Sequence, residues 1–533
     1  DLMPDPVSPL FATLAIPAIS RVGVKEVLRP LTRSEPVLPA DYITTINDYA
    51  YMGVGYTPRE WWWIVTRMML SMPRMLREAI PLWRDEIRPR YVEAVARWQD
   101  RPLEALSTAE LWTGIQQVND AAMLHLASLL VATTGASAGA EMLFTRVYDK
   151  MIRREGDPTA PTFLMGYDST PIQAEKSLYD LAIWCRGRDD PSSKTSGQSL
   201  TTYLLETPTA HLVAQQTADP VPVADWPAFC ERLRTHLQTY GHIIYDLDFA
   251  KPLPLDDPTP MLDTVKMYLR EQGVNPHERQ STAEERREQA AAMTLERLKG
   301  LRRWAFRKTL GMAQTMAQMR ENALSDIGLG YPLLRRMLHE LGRRLAQPGL
   351  MTQDADIFWL SAEQVQDAAA ALERSESLPN LAEEVTQRKA THKALKRVTP
   401  PPMLPARSRV LGIKTDAFIP VSAEEQTGDV LKGVAASPGQ VTAPARVLRG
   451  PEDFGQMQPG DVLVAEITTP AWTPLFAMAA GIVTNVGGPL SHGSIVAREY
   501  GIPAVLGTGV ATQRIRSGQV VTVDGSAGTV SLA

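Results

Sequence analysis

Cysteine is nearly missing from this chain: Cys185 and Cys230 are the two among 533 residues, far apart and without metal-ligand spacing. That excludes a disulfide scaffold and suits a reducing cytosol. Charge of one sign is also missing. Lys and Arg number 55 against 60 Asp and Glu, interspersed, for a formal net charge of −5, so there is no nucleic-acid or anionic-membrane footprint. No apolar run reaches the ~18–20 residues that span a bilayer, and the N-terminus has no signal-peptide pattern. These absences predict a cytoplasmic chain with neither a membrane nor a nucleic-acid partner. A phosphate-cradling Gly-x-x-x-x-Gly-Lys-Ser/Thr loop is lacking as well; Gly135-Ala-Ser-Ala-Gly139 has no lysine and reads as helix packing or a turn. His339-Glu340 starts like a zincin motif, but Arg343 stands where the second histidine belongs, so no metal site is expected.

What is present is ordinary in bulk, 44% apolar and 22% charged, and long enough for more than one domain. Beginning at Asp1 instead of Met, the chain reads as a fragment or a processed piece of something longer. Residues 1–30 are apolar and proline-punctuated and read as an extended lead-in. From about 58 to 395 the periodicity is helical: 107–130, 171–184, 226–240 and 293–319 carry apolar residues at three- and four-residue spacing. Residues 276–300, charged and alanine-rich, read as a solvated helix after a mobile loop. Residues 399–427 form a proline-rich, semi-rigid connection. Beyond it, 441–448, 462–467, 482–486, 520–523 and 529–532 read as short strands between Gly, Pro and Asp-Gly turns. The predicted layout is a large, mostly α-helical domain (1–398), a hinge linker (399–427) and a compact α/β domain (428–533).

The α/β domain holds the most informative segment, Gly487-Gly488-Pro489-Leu490-Ser491-His492, continuing Gly-Ser-Ile-Val-Ala-Arg-Glu-Tyr-Gly-Ile-Pro503-Ala504-Val505. Gly487 and Gly488 let the backbone approach an anion. Ser491 is a good N-cap, and the first-turn N–H groups favour negative charge beside His492. Gly501 and Pro503 close the helix and lead into a strand at 504–506. A lone histidine is more often a plain core or surface residue; this setting suits an imidazole that takes up and gives away a phosphoryl group.

The pattern resembles the swivelling phosphohistidine domain of the phosphoenolpyruvate-utilising enzymes, together with 433–439, Ile467-Thr-Thr-Pro-Ala-Trp-Thr-Pro474 and the strands around 520–525. Within that family, the run from His492 to Gly501 is most similar to the rifampicin phosphotransferase branch, with phenylphosphate synthase next; Pro489-Leu490 departs from relatives that carry a threonine before the Ser-His pair. The resemblance implies that His492 is phosphorylated at a nucleotide site and carries the group to an acceptor. It also implies ATP and Mg bound by an ATP-grasp domain, expected upstream of Asp1 or on another polypeptide, with no cofactor held by this chain. Pyruvate chemistry needs a (β/α)8 barrel of ~250 residues, for which the chain after His492 has no room, so the acceptor is expected on the helical domain.

A second resemblance, to the central domain of the same branch, rests on Tyr240-Gly241-His242 with Asp246-Leu247-Asp248 and Asp256-Asp257-Pro258, on 163–166, on Met319-Arg320-Glu321-Asn322 and on 341–345 with 356–360. His242 is either a general base for the acceptor hydroxyl or a helix-end histidine bonded to Asp246. Arg320 is a phosphate clamp with Glu321 as orienting partner or base, or half of a surface ion pair. Arg498 holds phosphate or pairs with Glu499. Thr468, Thr469 and Trp472 contact the phosphate or a docking partner, or fill a buried turn. Trp61-Trp62-Trp63 with Met68, Met69, Met72 and Met75 line a pocket for a bulky hydroxylated acceptor, or are an amphipathic helix in a core or interface. The expected function is an ATP-dependent, dikinase-type phosphotransferase acting on a hydroxyl of a small organic, rifamycin-like acceptor, hence an antibiotic-resistance activity. The alternatives are a phenylphosphate synthase-like subunit and a non-catalytic phosphocarrier.

Overall fold

A computed structural model describes the chain except residues 1, 2, 4, 40, 41, 53–56, 189–198, 216–222, 348, 378, 399, 401–408, 411, 412, 415–425, 427, 489, 490 and 533. Most of the expected hinge therefore lies outside the described residues, as does Pro489-Leu490. The N-terminal region is mostly helical and the C-terminal region is an α/β sheet domain.

The helical region is organised around Thr108–Ser128, which continues through a π turn at Leu129–Thr133 into Thr134–Met151. Ser107 starts it with a capping box, its hydroxyl accepting from Glu110 N while the Glu110 carboxylate takes the Ser107 N–H. The continuous helix is long and apolar enough to cross a membrane, but 72% of its most apolar window is buried inside the protein. Gly300–Ser325 packs along Thr134–Met151, and Phe144, Tyr148, Phe163 and Phe306 interlock between them with centroids 4.9–6.1 Å apart.

Three sequence expectations change here. Residues 9–32 are not extended: Phe11–Ala15, Ile16–Ala18, Ile19–Gly23 and Val24–Thr32 follow one another as π and α turns, with Leu10, Phe11, Ile19, Val24 and Val27 fully buried. Pro17 and Pro30 lie inside this continuous run, where each removes a helix hydrogen bond. The 293–319 periodicity is split between Pro276–Arg297 and Gly300–Ser325, because the chain breaks at Leu298-Lys299 and Gly300 adopts φ +56°. The first of these helices is also not simply solvated, since it buries Arg279 and Arg287 against neighbouring elements.

Strands β1 (Ile43–Ile46) and β2 (Tyr49–Met52) form a hairpin in the helical region, and β3 (Arg409–Val410) pairs β4 (Ile413–Lys414). The C-terminal domain contains β5 (Val430–Lys432), β6 (Val434–Ser437), β7 (Gln440–Leu448), β8 (Val462–Ala465), β9 (Gly481–Thr484), β10 (Ala504–Leu506), β11 (Val520–Asp524) and β12 (Thr529–Leu532). They form one eight-stranded sheet in the order β5-β12-β11-β7-β8-β9-β10-β6. β7, β8, β9 and β10 run parallel, and the flanking strands are antiparallel.

Alternation along the parallel strands divides two cores. Val462, Val464, Val483 and Val505 point to a core internal to the domain. Leu463, Ala465, Ile482, Ala504 and Leu506 point the other way, into a core shared with Leu178, Leu233, Tyr245, Met261 and Val265 of the helical region. One face of the sheet is thus packed against the helices, and that contact positions the site.

Candidate active site

β9 ends at Thr484, and the chain reaches β10 through the helix His492–Tyr500, so His492 lies beyond the carboxyl end of a parallel strand, where open α/β sheets present ligand sites. The intervening Gly487 has φ +145°, and a Cβ there would press on Leu506 and Ser491. Ser491 caps the helix, accepting from Ser494 N and donating to Gly488 O at 2.9 Å. Gly501 ends the helix in the left-handed region at φ 65°. Gly493 is required by proximity: an added Cβ would lie 2.6 Å from Thr468 Oγ1, so that hydroxyl sits directly against the first turn beside His492.

His492 is 7% exposed. Its Nδ1 lies 2.9 Å from Glu321 Oε2 on Gly300–Ser325, and its Nε2 lies 3.3 Å from Thr473 Oγ1. With the proton on Nδ1, which the carboxylate accepts, Nε2 keeps its lone pair, with Thr473 Oγ1 as its hydrogen-bond partner. Burial alone would raise the Glu321 carboxyl, but the hydrogen bond and charge of His492, with Arg320, hold it below its ordinary value.

Arg320, 3% exposed, donates through Nη2 to Glu321 at 3.3 Å, while its Nε and Nη1 are buried without hydrogen-bond partners. A buried guanidinium with two unsatisfied donors is costly unless an anion completes it. The surrounding cleft, about 30 Å³ in this closed arrangement and open at its mouth, is lined by Glu141, Tyr167, Arg320, Glu321, His492, Arg498 and Glu499, with apolar Leu164, Met165, Ile172 and Ile495. Tyr167 Oη is also buried without a partner. Arg498 Nε donates to Ser494 O at 2.9 Å, and Nη1 lies 3.9 Å from Glu141. Glu499 turns instead to Gly166 N across the interface, and burial, reinforced by the Glu321 charge, pushes its carboxyl up to about 7.

The structure brings His492, Arg320, Glu321 and Arg498 to one cleft and sets Gly487, Gly488, Ser491 and Thr468 around the His492 turn. Other expected site residues lie elsewhere. Thr469 Oγ1 donates to the Ile244 and Tyr245 carbonyls at 3.1 and 3.3 Å, fastening the α/β domain to the helices. His242 is not among the cleft-lining residues; desolvation holds its imidazole below the usual value against the nearby Asp326 charge, and its Nε2 has no partner. Asp246 bonds Lys251 at 2.5 Å and Asp248 N at 2.9 Å, not His242. Trp62 and Met69 are 68% and 71% exposed on the outer side of Pro58–Pro81, because Trp63 and Met75 take the buried face; the Trp61 side chain lies outside what is described. Trp472 is buried against Phe454, centroids 4.8 Å apart. Sequence reading missed Glu141, Tyr167, Thr473 and Glu499. Glu141 and Tyr167 sit in no short motif, whereas Thr473 lies within the Ile467–Pro474 segment and Glu499, seven residues after His492, falls on the same helical face.

Comparison with known proteins gives two domain matches. Residues 457–528 match the PEP-utilising enzyme mobile domain, and residues 196–321 match the rifampicin phosphotransferase fourth domain. The chain is 35% identical over 228 residues to a rifampicin phosphotransferase of Streptomyces sviceus, covering 42% of this chain and 25% of that protein. It is 33% identical over 320 residues to the prodigiosin synthesizing transferase PigC of Serratia marcescens, covering 60% and 35%. It is 32% identical over 373 residues to the chondramide synthase of Chondromyces crocatus, covering 64% and 9%. The chain therefore spans about a third or less of the length of these relatives.

Proposed function

From a chain that carries a PEP-utilising enzyme mobile domain and a rifampicin phosphotransferase fourth domain, we propose the acceptor-binding and phosphohistidine-carrier part of an ATP-dependent phosphotransferase. The observation that carries this reading is the buried set of His492, Glu321 and Arg320, with Nδ1 held by a carboxylate at 2.9 Å and two guanidinium donors left without partners beside it. In the docked position Glu321 holds the proton on Nδ1, which leaves Nε2 as the nitrogen that carries the phosphoryl group, the usual role of a carboxylate behind a histidine.

In the loading step, the Nε2 lone pair attacks the β-phosphorus of ATP, which an ATP-grasp domain outside this chain would hold with Mg; the Pα–O–Pβ bond breaks with its electrons on AMP, and water then cleaves the Pβ–O–Pγ bond to release inorganic phosphate, leaving the β-phosphoryl on Nε2. In delivery, an acceptor hydroxyl oxygen in the cleft attacks phosphorus, the P–N electrons return to Nε2, and the released ring takes up the hydroxyl proton. Arg320 Nε and Nη1 neutralise the phosphoryl oxygens, and Glu321 stabilises the proton on Nδ1 as the ring leaves. The α/β domain moves as a rigid body between the two sites. The acceptor is a small organic molecule with a hydroxyl group, in keeping with the mixed polar and apolar lining of the cleft, and the relatives named rifampicin phosphotransferase point to a rifamycin-like compound that enters when the two domains are apart. The low cysteine content, Cys185 and Cys230 alone, is consistent with a cytoplasmic setting, and no membrane or nucleic-acid partner is part of this reading.

The test is to incubate the complete enzyme with ATP labelled in the β-phosphate and map the acid-labile label. Label on His492, absent from His492→Ala, is the expected result. Label that persists in His492→Ala overturns the reading.

A further inference from the structure

Eight residues beyond His492, at the far end of its helix, Tyr500 meets a buried ion pair that belongs wholly to the helical region. Glu175 has a side-chain exposure of 0% and Arg279 of 9%. Arg279 Nη1 and Nη2 donate to the two Glu175 oxygens at 3.2 and 2.5 Å, and Tyr268 Oη donates to Oε1 at 2.8 Å. Tyr500 completes the cluster from the other domain: its Oη donates to Glu175 Oε1 at 2.8 Å, and its ring lies under the Arg279 guanidinium, 3.6 Å from centroid to Cζ.

We infer that Tyr500 is a positioning residue that locks the mobile domain in its acceptor-facing position by closing over the Glu175–Arg279 pair. A buried ion pair stripped of water is stabilising only when its remaining donors and acceptors are satisfied. Here the hydroxyl and the aromatic face that replace the water come from the α/β domain, so the pair is complete only when the domains meet. The His492–Glu321 bond cannot be the sole anchor, because the imidazole changes charge and substituents during transfer. Tyr500 lies about 12 Å along the helix axis from His492, clear of the reacting atoms, so its contacts persist in both loaded and unloaded states. Gly501 ends the helix immediately after Tyr500 and Phe476 packs on the ring at 5.9 Å, which fixes its direction.

The inference rests on the moving-domain reading above, and the experiment separates the two. Spin labels are placed at the exposed positions Lys150→Cys and Lys432→Cys in a Cys230→Ser background, and interdomain distances are measured in the complete enzyme by electron–electron resonance during turnover. Tyr500→Phe, which keeps the ring and its Phe476 contact, should shift the undocked-to-docked ratio by about tenfold or more. Arg279→Lys, which loses the stacked plane and the two-point contact, should shift it in the same direction. Loading of His492 from ATP should persist in both variants while delivery slows in proportion to the lost docked fraction. Unchanged distance distributions in both variants overturn the lock, as does loss of loading along with delivery. A wild-type distance that never varies during turnover instead overturns the moving-domain reading itself, and the lock with it.

Discussion

His492 and Glu321 are 171 residues apart in the chain and 2.9 Å apart in space. One sits at the N-terminus of a short helix in a sheet domain, the other near the end of a 26-residue helix in the helical region. Their contact turns a domain interface into a site, since the carboxylate that orients the imidazole comes from the side that also supplies Arg320 and most of the cleft wall.

Replacing Glu321 by Gln should therefore separate the half-reactions. The amide keeps the shape but loses the charge that favours a proton on Nδ1. Delivery from phospho-His492 to the acceptor is expected to fall by about 10- to 1000-fold, with loading from ATP changed much less. Rapid-quench measurement of each half-reaction checks this; equal losses in both would mean that Glu321 has no role specific to delivery, and an unchanged delivery rate would place it outside that step.

Arg320→Ala should lower delivery by on the order of 100- to 1000-fold. Arg320→Lys should recover only part of it, because an ammonium on a flexible stem cannot present the two donors that Nε and Nη1 offer. Single-turnover kinetics with preloaded carrier provides the readout, and full recovery by lysine would mean that charge alone suffices.

Glu499 gives a pH signature. Its folded carboxyl titrates at about 7, against an ordinary 4.5, chiefly because of burial. Between those values the unfolded chain has already lost this proton while the folded chain keeps it, so the group costs stability increasingly as pH rises and the full cost remains above 7. Glu499→Gln should raise stability at pH 8 by about 1–3 kcal/mol and leave it nearly unchanged at pH 4. Thermal unfolding across that range tests it; a gain confined to acid pH would contradict the assignment.

Gly493→Ala should destabilise the α/β domain by on the order of 1–3 kcal/mol, since the new methyl meets Thr468 Oγ1 at 2.6 Å. The double variant with Thr468→Ala should regain much of that loss. Denaturant unfolding of the four proteins in the cycle measures the coupling.

Local pattern determined a good deal of this protein. The helix opening at His492, its Ser491 cap and its Gly501 stop were legible because capping and termination depend on a few neighbouring residues. Strands β10 and β12 follow from short apolar runs between turns, and the helix Trp226–Tyr240 from its three- and four-residue spacing. The Arg320-Glu321 pair was legible as a motif, but not what it faces.

Only the tertiary structure decided which residues share the cleft. Glu141, Tyr167 and Glu499 meet His492 because four chain segments converge there, a long-range relation that no local spacing encodes. The same packing set His242 and Asp246 apart, gave Asp246 to Lys251, and turned Trp62 and Met69 outward by choosing Trp63 and Met75 for the core. Residues 9–32 became helix for a related reason: burial of Leu10, Phe11, Ile19 and Val24 outweighs the local cost of their prolines. An amphipathic pattern states that one face will be buried; which neighbour buries it is settled by the competition among all the apolar faces of the chain.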